Sequence, residues 1–158
     1  MTVMAGAMAP RLMVTRFGVL KETNVDTYVE NQEWKKKHNW TGAAYSSPKL
    51  IKESILPGTY LFVLEMHLTE NKIKGIGLIL NRPCLDKHFK IYNYRWYNNY
   101  AYYSRYRIDR EELNDEELFM IRVLDKALFT TSRHFKRGHG IQEVPAWITM
   151  TKQIHFIK

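Results

Sequence analysis

The chain has 158 residues, 24 lysines and arginines against 16 aspartates and glutamates, and a formal net charge of +8. At 45% hydrophobic and 25% charged, it has the composition of a folded globular protein, which excludes a disordered tail, a collagen-like fibre and a low-complexity scaffold. Its one cysteine, Cys84, excludes an internal disulfide and a multi-cysteine zinc knuckle and points to an intracellular chain, and no apolar run reaches the roughly 18 residues that a membrane helix needs.

Residues 1–13 read as an N-terminal extension. Their apolar stretch has no basic region ahead of it and is broken by Pro10 and Arg11, so no signal peptide is expected. Residues 14–158 read as one domain. Val14 to Leu20 has strand composition and ends in polar Lys21 to Asn24. Asn24 is positioned to cap a helix with Val25, Tyr28 and Val29 on one face, running to Lys35-Lys36-Lys37 and stopping before His38. Between Ser46 and Gly58, Leu50, Ile51 and Ile55 suggest a short helix closed by Pro57-Gly58.

Thr59 to Met66 is an apolar run of strand length, and Thr69 to Lys72 turns it into a second strand, Ile73 to Leu80, where Gly75 and Gly77 mark a bulge or a close backbone approach. Phe89 to Tyr92 and Tyr103 to Ile108 alternate like strands around a loop at Asn93 to Asn99. Asn114 caps a helix carrying Leu118, Ile121, Leu124 and Leu128, with acidic residues in its first turn. Thr130 to Gly140 is a basic, glycine-punctuated segment, and Pro145 opens a last helix with Trp147, Ile148, Ile154 and Ile157 in a stripe. This order predicts an α+β domain built on a small barrel or strongly bent sheet flanked by helices.

Several chemistries lack their residues. His134 and His139 are five apart, no HExxH occurs, and Cys84 has no partner at ligand spacing, so no metal site is expected. Gly75-Ile76-Gly77 and Gly138-His139-Gly140 each lack the third glycine, and the Walker lysine, of a phosphate loop, and there is no GxSxG elbow. Neither an enzyme activity nor a cofactor is expected.

Positive charge and aromatic rings remain. The chain holds 4 Trp, 10 Tyr and 7 Phe, and seven of the tyrosines fall between Tyr92 and Tyr106. Lys and Arg attract phosphates, and an exposed ring stacks an unstacked base, at roughly 1–3 kcal/mol per base. The combination suits a single strand or a flipped base better than an intact duplex. A tyrosine-rich strand packed on its own core and a solvated lysine cluster at a helix end account for the same composition.

Three segments carry a resemblance. Arg16 to Lys21 (RFGVLK), followed by a helix and by HNWTGAAYS, resembles the start of a YTH domain, with Trp40 at the position of a cage tryptophan. The hairpin TYLFVLEM to NKIKGIGLIL is similar to paired strands of that family and of the EVE domain, and TTSRHFKRGHGIQEVP resembles the YTH segment NSRDGQEVP at Ser132-Arg133 and Gln142 to Pro145. Both families belong to the PUA-like superfamily, whose members hold RNA or modified bases on a small β-barrel flanked by helices. The resemblance spans roughly residues 14–158 and implies a modified-base reader. Trp40 would form one wall of an aromatic cage, with Trp34 as an alternative, and Trp96 would supply the second, with Tyr94 and Tyr97 as substitutes. Asn39 or Thr41 would read the base edge, and Arg133, Lys136 and Arg137 would hold phosphates. The segment from Arg133 to His139 is longer than its counterpart and lacks the aspartate that follows arginine there. The implied partner is a single-stranded or flipped-base RNA or DNA. Two alternatives stay open: a protein-interaction module on the same scaffold, and a nucleoside amidohydrolase of the related ASCH branch, which requires a buried lysine with a threonine and a carboxylate.

Overall fold

The computed structural model describes residues 10–85 and 90–149. Residues 1–9 of the expected extension 1–13 and the predicted helical positions Ile154 and Ile157 lie outside the described residues, as does Phe89, whereas Arg11 to Met13, expected in that extension, belong to the first strand.

The architecture is α+β. Strands β1 (Arg11–Phe17), β3 (Tyr60–His67), β4 (Lys72–Leu80), β6 (Tyr106–Asp109) and β7 (Gln142–Glu143) form a sheet in the order β6-β4-β3-β1-β7. The β1–β3 pair is parallel and the others are antiparallel. Strands β2 (Ala43–Ser47) and β5 (Tyr100–Ser104) form a separate two-stranded ribbon. Among the described residues the hydrogen-bonded ladders make these two sheets and do not close into a barrel.

Side-chain alternation along β1 and β3 assigns the layers. Val14, Leu64 and Met66 point to one face, where α2 (Asp115–Asp125) supplies Ile121 and Leu124, and the π turn that follows it supplies Leu128. Met13, Phe17, Leu61 and Val63 point to the other, covered by the ribbon and by α1 (Thr27–Lys37). Each fully buried aliphatic side chain contributes roughly 1.5–3 kcal/mol. Helix α2 begins as its sequence dictates: the Asn114 side chain accepts from the Glu117 amide while the Glu117 carboxylate accepts from the Asn114 amide. Its far end is held by Asp125, which accepts from the Ile73 amide and from Arg110.

Four expectations are corrected. Residues 46–58 contain no helix, and Ala43 to Ser47 is instead the wholly buried strand β2. Ile51 and Ile55 are anchored from turns, where the Asn81 side chain donates to the Ile55 and Leu56 carbonyls. Lys90 to Tyr92 is not a strand. The Asn98 side chain takes the part of a neighbouring strand, accepting from the Ile91 and Tyr92 amides and donating to the Tyr92 carbonyl. The predicted strand at 103–108 is two strands broken at Arg105, because β5 pairs with β2 whereas β6 pairs with β4. Helix α1 is capped by Asp26, not Asn24, and buries Thr27, Glu30, Asn31, Trp34 and Lys35, leaving Val29 exposed.

That polar buried face is largely satisfied by specific partners, Glu30 Oε1 being the exception. Asn31 donates to the Ala44 carbonyl and to the Tyr92 hydroxyl, and Glu30 accepts from the Asn93 amide. Helix α1 therefore fixes both the ribbon and the tyrosine-rich loop through hydrogen bonds, where the usual helix would use aliphatic contacts. Under the ribbon, β4 has no side chain at Gly77, where a Cβ would meet the Tyr45 hydroxyl and lie 2.9 Å from the Ala43 methyl. The glycine signal in β4 thus marks a close approach, by the ribbon.

Candidate functional site

The tyrosine-rich loop folds around a 3-10 turn at Arg95–Asn98. Tyr94, Trp96 and Tyr97 form a mutual cluster with ring centroids 5.4–6.4 Å apart. The basic segment from residue 131 to 140 crosses to this cluster through His139, whose ring lies 5.4 Å from Trp96 and 6.1 Å from Tyr97. The Tyr97 hydroxyl and His139 Nδ1 are 3.2 Å apart. Two segments about forty positions apart thus share one rim. Trp96 keeps 44% of its surface exposed, enough for a planar ligand to rest on.

Beneath the rim is a slot of about 40 Å³ between β1, β2 and the two loops, walled by Thr15, Arg16, Ser46, Tyr97, Gly138 and His139. It admits a substituent the size of a methyl or amino group, not a whole base. Gly138, at φ 131, permits the backbone to pass close over Arg16, where a Cβ would lie 3.1 Å from Nη1.

Arg16 is the unusual member. Its Nε donates to the Phe135 carbonyl at 2.9 Å and its Nη1 to Gln142 Oε1 at 2.7 Å, and the guanidinium lies 4.5 Å above the Phe135 ring. Nη2 is buried with no hydrogen-bond partner, and no carboxylate pairs with Arg16 among the described residues. Burial draws its pKa down to about 10. A half-buried cation with no carboxylate partner is less well compensated than a paired one, so this position favours an anion or a carbonyl oxygen nearby. Nothing in the sequence beyond a lone arginine in an apolar strand signals this.

On the other side of His139 lies a wider cavity of about 380 Å³, within the range of small-ligand sites. Lys49, Lys52, Phe135 and Gln142 are among its walls. The slot and the cavity share His139.

The remaining expected residues are placed as follows. Asn39 and Thr41 are exposed on the turn that ends α1, with Asn39 at φ 53. Trp40 between them is turned inward, its indole N–H donating to the Ala43 carbonyl at 2.9 Å and its ring edge-on to Tyr103 at 6.3 Å. Trp34 is buried between His38, stacked at 4.3 Å, and Tyr103, stacked at 5.7 Å. Neither Trp34 nor Trp40 lines the slot or the wider cavity. Arg133 lies over the Trp147 ring at 4.5 Å, while Lys136 is half-buried and Arg137 is exposed on the same segment. Structure therefore gathers Tyr94, Trp96 and Tyr97 with the basic segment, and puts Trp40 in a second aromatic group.

Under the ribbon, Arg107 donates to both Glu65 oxygens and to Asp109, and the Tyr45 hydroxyl donates to Glu65 at 2.6 Å. Lys35 lies in the field of this network, and burial followed by repulsion from Arg107 draws its amine down to about 8. Neither the slot nor the wider cavity reaches Lys35.

Among the described residues no group of three or more His, Cys, Asp and Glu side chains is placed to hold a metal ion, and no helix is long and apolar enough to cross a membrane. No family model, curated protein or solved structure matches the chain.

Proposed function

We propose that the protein is a PUA-like reader of single-stranded or flipped nucleic acid, similar to YTH and EVE domains, that rests a base on Trp96 and inserts a substituent of that base into the slot. The observation that carries this reading is the convergence of the exposed Trp96 ring, Tyr97 and His139 above a slot walled by the half-buried Arg16, which has no carboxylate partner among the described residues. A phosphate or base carbonyl supplies a counter-charge to the Arg16 guanidinium, and the exposed indole supplies stacking. Lys136 and Arg137 extend the positive surface along the strand. A methyl on the base edge gains by leaving water for the slot wall.

This reading moves the primary base contact from Trp40 to Trp96, with Tyr94 and Tyr97 as supports. The test is fluorescence anisotropy with short RNA and DNA oligomers, with and without methylated adenine or cytosine, on the wild type and on Trp96→Ala, Trp40→Ala and Arg16→Met. The expected result is a loss of about 5–150-fold for Trp96→Ala, corresponding to one stacked base, with a smaller effect for Trp40→Ala. Absence of binding below about 100 μM at low salt, weaker than many non-specific interactions, overturns the reading.

A further inference from the structure

The cavity beyond His139 has a chemistry of its own. Its floor is apolar, from Phe135, Ile141 and the exposed Leu50. Its rim is cationic, from Lys49 and Lys52, and its one carboxylate, Glu143, is already neutralised by Arg11 and Lys52. An apolar floor with a net positive rim is complementary to a flat ring that carries a phosphate.

Gln142 adds polarity to that site. Arg16 Nη1 donates to Gln142 Oε1, which fixes the amide's orientation and leaves Nε2, a donor, as the polar group that Gln142 can offer a ligand in the cavity it lines. His139 lines both the slot and the cavity, and Arg16, which lines the slot, is hydrogen-bonded to Phe135 and Gln142 of the cavity wall.

We infer that this cavity holds the nucleotide next to the read base, with the connecting phosphate beside His139, which the slot and the cavity share. The inference rests on the reader reading, and it deepens that reading: the minimal ligand is a dinucleotide.

The experiment measures affinities of the full chain for AMP, for the 5′-phosphorylated dinucleotides pApU and pUpA, and for pApA, at fixed salt by NMR titration. The best of the dinucleotides is expected to bind at least about tenfold more tightly than AMP, in line with one further stacked base and phosphate. The Gln142 side-chain amide and Leu50 methyl resonances should shift with the dinucleotide. Leu50→Asp places a charge on the cavity floor from an exposed position, and it should bring the dinucleotide-to-AMP ratio close to one. Lys49→Ala, also exposed, is the second variant and should lower the same ratio. Equal binding of AMP and dinucleotides, or a gain that survives both variants, overturns the inference while leaving the reader intact. If longer oligomers fail to bind the wild type, the reader reading falls and the inference falls with it.

Discussion

Glu65 and Arg107 face each other beneath the β2–β5 ribbon in two hydrogen bonds, Nε to Oε2 at 2.8 Å and Nη2 to Oε1 at 2.7 Å. Their side chains are only 3% and 8% exposed. Gly75 leaves the space they occupy, since a Cβ there would meet the guanidinium and lie 3.0 Å from Glu65 Oε1. Removing one partner strands a buried charge, which costs about 3–5 kcal/mol. Arg107→Met and Glu65→Leu should each lower the unfolding free energy by that amount in urea titrations, and the double variant should recover much of the loss. An additive double variant would show that the pair does not act as a unit.

Lys35 makes stability depend on pH. Its amine titrates at about 8 in the folded chain against 10.5 as the ordinary value. Between those values the unfolded chain holds more protons, so unfolding free energy rises with pH across this window, by at most about 3–4 kcal/mol. Tyr28, pushed up to about 12 by burial and then by Glu65, acts in the opposite sense: above pH 10 the folded chain holds more protons and stability falls. Urea midpoints should therefore rise from pH 8 to a maximum near 10, and Lys35→Met should flatten the rise.

Gly77 sets how closely the ribbon approaches β4. A Cβ at this position meets the buried Tyr45 hydroxyl and the Ala43 methyl, neither of which is the loose end of an exposed side chain. Gly77→Ala should destabilise by about 1–3 kcal/mol through overpacking, read as a lower thermal midpoint. Gly58→Ala is a useful contrast: its neighbour at 3.7 Å is a single arginine side-chain atom, so any loss there comes from its φ of 82.

Lys136 and Arg137 test the electrostatic share of binding. If each neutralises one phosphate, Lys136→Ala with Arg137→Ala should reduce the slope of log affinity against log salt by about 1.4–1.8, the range between single-stranded and duplex nucleic acid. Arg133 is held over Trp147 and should change the slope less. An unaltered slope in the double variant would remove this segment from the phosphate path.

Much of the element structure was legible locally. The capping box at Asn114 and Glu117, the apolar stripe of α2 and the turn between β3 and β4 follow from nearest-neighbour chemistry and periodicity. Strand β2 was not legible: AAYSS has no strand-forming bias and owes its conformation to burial on every side. The hydrophobic face assigned to α1 was also misplaced, because Glu30, Asn31 and Lys35 read as solvent-facing until their partners on β2 and the tyrosine loop are known.

The sequence by itself determined that the chain is basic, rich in tyrosine around residue 100, and built from helices and strands in a mixed order, because composition and short-range periodicity are properties of neighbours along the chain. Only the tertiary structure decided which aromatic rings meet which cations. His139 reaches Trp96 and Tyr97, and Arg16 reaches Gln142, across more than forty and more than one hundred positions respectively. Trp40, at the position most suggestive in sequence, turns inward to Ala43 and Tyr103. The side chain's direction follows from the turn that ends α1 and from the ribbon packed behind it, and neither is encoded in the four residues around it.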